Sequence, residues 1–139
     1  MTLRRCLLAC LVSVVCGCAP VKHQVAESKD SGIDIDGIII RNQLLYPVTD
    51  VMVEVPATGD FAGCGNILGR SQCSTSIPSA DYRQNAIVVS WKEYGEAHRT
   101  PEFVVKVPAA MQPGSSAWLE IIVFASGQAG AKLVNPPGL

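Results

Sequence analysis

From residue 33 onward, runs rich in Val, Ile and Thr are broken by Gly or Pro every eight to twelve residues. That punctuation restricts the fold more than any other feature of the chain. Within the runs, apolar side chains fall at alternate positions, as in Val51, Val53 and Val55, or Leu119, Ile121 and Val123. Successive side chains of a strand point to opposite faces, so a period of two marks half-buried strands. No stretch carries the 3.6-residue repeat of an amphipathic helix, and the sequence has no internal repeat.

The spacing predicts a first strand over residues 34–43, with Ile38, Ile39 and Ile40 at its centre. A turn at Tyr46-Pro47 leads to a second strand over 50–55. Residues 56–65 read as a Gly-rich loop, and 66–70 as a short strand with Cys73 beyond it. In the second half, residues 85–91 set Ile87, Val89 and Trp91 on one side. Residues 102–107 set Phe103, Val105 and Val107 inward, so the two segments read as a β-hairpin across the turn signals around Gly95. A loop over 108–116 precedes a strongly apolar strand at 117–125, whose second face carries Trp118, Ile122 and Phe124. A turn at 127–130 and a last short strand at 131–134 complete the set, and Trp91 and Trp118 are assigned to the core. About seven short strands in this length imply an all-β fold, an antiparallel immunoglobulin-like β-sandwich; a barrel has the same strand count.

The N-terminus follows different rules. Arg4 and Arg5 precede a ten-residue apolar run, and Val15-Cys16-Gly17-Cys18 follows. A membrane-spanning helix needs about 20 apolar residues, and this run is too short. Val15 to Cys18 resembles the lipobox of bacterial lipoproteins, with Cys16 where Ala or Ser is commoner. The resemblance implies a signal peptide over residues 1–17, cleavage after Gly17 and lipid on the Cys18 thiol. It also implies an outer-membrane location on the periplasmic face, because Ala19 replaces the Asp that retains such proteins at the inner membrane. Residues 18–32 are polar and aperiodic, and read as a tether of roughly 20 Å typical reach. The globular domain is expected over 33–135, with a frayed tail at 136–139.

Of six cysteines, Cys6, Cys10 and Cys16 fall in the signal segment and Cys18 takes the lipid, leaving Cys64 and Cys73. In an oxidising compartment this pair reads as a structural disulfide. A C-x8-C spacing lacks the close geometry of redox motifs, and His23 and His98 are its sole imidazole partners.

Chemistry is sparse. A formal charge of −1 without a basic stripe argues against nucleic acid as a partner. Ser90, His98 and Asp81 compose a nominal triad, but no nucleophile elbow accompanies them. Asp30, Asp34, Asp36 and Gly37 approach a calcium loop, yet the first and last ligand positions fall on Gly32 and Gln43. Gly63 and Gly65 read as tight turns around the bridge. No metal, cofactor or catalytic set is therefore expected.

What remains is recognition. Two loops concentrate the residue types of interface hot spots: Tyr82 with Arg83, and residues 94–99 with Tyr94, His98 and Arg99. The expectation is a non-enzymatic, membrane-tethered binding or assembly-accessory module with an envelope protein as partner. The alternatives are an inhibitor or protective factor against a periplasmic enzyme, a small hydrolase, and a carrier of an apolar ligand between the sheets.

Overall fold

A computed structural model describes residues 32–138. The signal segment, Cys18 and the tether up to residue 31 lie outside the described residues. Eight strands follow one another: β1 Asp34–Asn42, β2 Val48–Val55, β3 Asp60–Cys64, β4 Gln72–Asp81, β5 Val88–Glu93, β6 Glu96–Arg99, β7 Ser116–Ala125 and β8 Gln128–Val134. They form two four-stranded sheets, ordered β4-β1-β7-β8 and β3-β2-β5-β6. No helix occurs among the described residues. The fold is all-β.

The two sheets share one apolar core. Ile38 and Ile40 of β1 and Leu119, Ile121 and Val123 of β7 meet Val51 and Val53 of β2 and Val89 and Trp91 of β5. Alternation made these residues legible. At about 25 cal/mol per Å² of apolar surface removed from water, such a layer is the main source of stability. Cys64 at the end of β3 is bonded to Cys73 in β4, with the Cα atoms 6.4 Å apart, so the disulfide joins the edges of the two sheets.

Several expectations need correction. The ladders are antiparallel except at the centre of the first sheet, where β1 runs parallel to β7. Parallel neighbours need a long crossover, and here the chain builds the second sheet between them. Residues 56–65 are not all loop: β3 pairs there with β2, and Gly63 sits so close to Val51 that an added Cβ would meet its carbonyl oxygen at 2.3 Å. Residues 66–70 contribute one bridge, Ile67 with Val48, instead of a strand. β4 departs from the sequence reading, because as an edge strand it buries little and carries Ser74, Thr75, Ser76 and Ser79 where an apolar alternation would mark a strand. The hairpin partner of β5 is β6, not residues 102–107. Tyr94 and Gly95, with φ of 50° and 86°, make a two-residue turn of the kind whose twist suits a hairpin. Residues 102–107 keep their inward alternation, but Phe103 alone bridges to Ile87. The last strand starts at Gln128, and the turn before it is Ser126-Gly127.

Strand directions define two ends, separated along β1 by roughly 27 Å. At the near end, Ile33 accepts a hydrogen bond from Tyr82 N (2.8 Å) and Ser115 accepts one from Asp34 N (3.1 Å). The far end gathers the β1–β2 connection at 43–47, residues 65–71, the β5–β6 turn and the β7–β8 turn.

Candidate recognition surface

The far end is organised by two buried polar side chains. Each occupies the next inward position after an apolar run: Asn42 follows Ile38 and Ile40, and Glu93 follows Val89 and Trp91. Asn42 is 1% exposed. Its amide nitrogen donates toward the carbonyls of Tyr46 (2.8 Å), Ile67 and Leu68 (both 3.1 Å), and its oxygen accepts from Leu44 N (3.0 Å). One side chain thus ties the β1–β2 connection to residues 65–71, alongside the backbone bond from Arg70 N to Leu44 O (2.9 Å).

Glu93 is 4% exposed and carries a full shell of donors. Tyr46 Oη donates at 2.9 Å, Trp91 Nε1 at 2.8 Å, Ser126 Oγ at 2.8 Å and Gly127 N at 2.9 Å. Burial pushes the carboxyl up, but the bonds from Gly127, Trp91, Ser126 and Tyr46 outweigh it and hold the group at about 2. The bond to Glu93 in turn raises Tyr46 above the ordinary tyrosine value. This carboxylate fastens the β5–β6 hairpin to the β7–β8 turn of the other sheet.

Around these anchors the surface is apolar and exposed. Tyr94 is 83% exposed, Leu45 80% and Leu68 66%. The Tyr94 ring lies against Tyr46, with centroids 4.7 Å apart. His98 is half-buried, stacks on Trp91 with centroids 5.6 Å apart, and places Nε2 4.0 Å from Glu93. Arg99 turns to the outer face of its sheet and pairs with Glu54 at 2.8 Å.

Tyr82 and Arg83 belong to the near end. Tyr82 Oη donates to Val105 O at 2.5 Å, pinning residues 102–107 to the body, and burial holds its phenol above the ordinary tyrosine value. Arg83 pairs with Asp81 at 3.3 Å. The two loops singled out in the sequence therefore lie at opposite ends and do not form one surface. The nominal triad does not assemble either. Ser90 pairs with Arg99 and Trp91 with His98, so serine and histidine face opposite sides of the hairpin, while Asp81 is at the near end. Among the described residues no cluster of three or more His, Cys, Asp or Glu side chains is placed to hold a metal ion.

Trp118 also departs from expectation. Trp91 is in the core at 2% exposed, but Trp118 is half-buried on the outer face of its sheet. Neither Leu45 nor Leu68 was singled out, because a lone leucine in a turn carries no periodic signal. Glu93 was visible in principle as the next member of the series Ile87, Val89, Trp91.

No family model matches the chain, and no curated protein matches it. Among solved structures, one described as "NMR structure of the protein from Eubacterium rectale" is similar at a TM-score of 0.43 and 15% identity, over 74% of this chain and 89% of that chain.

Proposed function

We propose that this chain is an envelope lipoprotein, anchored in the outer membrane through lipid on Cys18 and facing the periplasm. Its immunoglobulin-like β-sandwich acts as a non-enzymatic binding or assembly-accessory module. The observation that carries the reading is the far end: Leu45, Leu68 and Tyr94 are exposed on short turns, yet those turns are tied down by Asn42 and Glu93. Apolar groups held rigid lose little conformational entropy on binding, which favours protein recognition. The described chain begins at Gly32, at the end opposite this surface. Tethering raises the local concentration of partners and strengthens a modest contact.

The inhibitor reading uses the same place. A hairpin turn with Tyr94 at 83% exposure has the shape of a plug for an enzyme cleft. Photocrosslinkers at positions 94 and 83 in intact cells test the proposal. A discrete protein adduct from 94, and none from 83, supports far-end recognition; adducts from neither, or equally from both, sink it. Mass spectrometry of the N-terminal peptide tests the anchor, and an unmodified Cys18 thiol refutes it.

A further inference from the structure

The outer face of the β4-β1-β7-β8 sheet holds a second built feature, separate from the far end. At its centre, Trp118 of β7 is paired with Gly37 of β1, and Gly37 with Ser76 of β4. A Cβ placed on Gly37 would lie 2.5–2.7 Å from three consecutive indole atoms, Cδ2, Cε2 and Cζ2. Two of them form the ring fusion, which can be approached that evenly only from above the ring plane. The indole therefore lies flat on the backbone at Gly37, and its second face is turned outward on a half-buried side chain.

The rim of this ring is polar and fixed. β1 carries one extra residue opposite β7 between Ile35 and Gly37, and that residue is Asp36. Bulges re-aim side chains, and here the carboxylate takes hydrogen bonds from Ser116 and Ser79. An ionised carboxylate has about four lone-pair sites, so acceptor capacity remains. One step along the sheet, Glu120 pairs with Lys132 at 2.9 Å and with Arg41. Glu120 is buried, whereas the Arg41 and Lys132 side chains are 45% and 59% exposed and retain donors for a ligand oxygen.

We propose that this face is a saccharide-binding platform centred on Trp118, taking a β-linked N-acetylhexosamine chain. A pyranose with equatorial substituents presents a flat layer of axial C–H bonds, which matches the indole face turned away from the sheet. Its hydroxyls radiate toward the neighbouring register positions, Asp36, Ser76 and Ser116. The acetamide oxygen accepts from Arg41 or Lys132. The proposal depends neither on lipidation nor on a protein partner, so its failure leaves the far-end reading intact.

The test is a heteronuclear NMR titration of the purified full chain with chitotetraose, using maltotetraose as the α-linked control. The indole N–H of Trp118 is expected to shift with chitotetraose, while that of Trp91, bonded to Glu93, stays in place. Gly37→Ala, which fills the ring's seat, and Trp118→Ala are each expected to weaken binding roughly tenfold or more. Tyr94→Ala is expected to leave it unchanged. Ser76→Ala, which leaves the indole in its seat, is expected to weaken binding severalfold even if the other variants fail to fold. An unmoved Trp118 resonance at millimolar chitotetraose, shifts confined to another face, or equal response to maltotetraose would each overturn the proposal.

Discussion

Replacing Glu93 by Gln measures how firmly the far end is held. The side chain keeps its size and one oxygen, so Trp91 Nε1 and Gly127 N keep an acceptor while Tyr46 and Ser126 rotate to accept from the new amide. What disappears is the charge. The native carboxyl stands at about 2 against an ordinary 4.5, so its ionised form is favoured by the fold. At 1.36 kcal/mol per unit, this amounts to about 3 kcal/mol at neutral pH. Because the folded value is depressed, the stabilisation is complete above pH 4.5 and fades as pH falls toward 2. At pH 3 roughly 1 kcal/mol of it remains, a loss of about 2 kcal/mol from its neutral value. Urea unfolding of the disulfide-bonded protein at pH 7 and pH 3 reads this directly. Glu93→Gln should cost about 3 kcal/mol at pH 7, and the gap to wild type should narrow to roughly 1 kcal/mol at pH 3. A gap independent of pH in this window would refute the assignment of the acid sensitivity to Glu93.

Other perturbations separate the remaining supports. Asn42→Ala removes the side-chain partner of Leu44 N and of the Tyr46 carbonyl and leaves the Ile67 and Leu68 carbonyls with their backbone bonds alone; a loss of about 2–3 kcal/mol and faster amide exchange at residues 65–71 are expected. Cys64→Ala with Cys73→Ala removes a constraint worth about 2.6 kcal/mol by loop-closure entropy for a span of 9 residues, checked by urea midpoints with and without reductant. Tyr82→Phe deletes the bond to Val105 O and should cost about 1 kcal/mol while raising proteolytic nicking at 102–107. Glu120 is held below the ordinary carboxylate range because Lys132 and Arg41 outweigh its burial. Its contribution is likewise lost on acidification, and Glu120→Gln should flatten the remaining acid slope in the same titration.

The sequence by itself determined the strand periodicity and most of the core. A side chain's face follows from its parity along a strand, and parity is written in the order of residues; Ile38, Ile40, Val51, Val53, Val89, Trp91, Leu119, Ile121 and Val123 are therefore all legible. Spacing and composition also implied the Cys64–Cys73 bond. Which strands become neighbours was decided only by the tertiary structure. Pairing is a contest among all backbone edges, and nothing local announces that β1 will lie parallel to β7, or that a Ser-rich segment will close the sheet as β4. The same holds for the sites. Glu93 gains its meaning from Ser126 and Gly127, more than thirty residues away in sequence, and Trp118 lies flat because the partner strand offers a glycine. Periodicity is a property of one segment, whereas a hydrogen-bond shell or a seat for an aromatic ring exists only between segments.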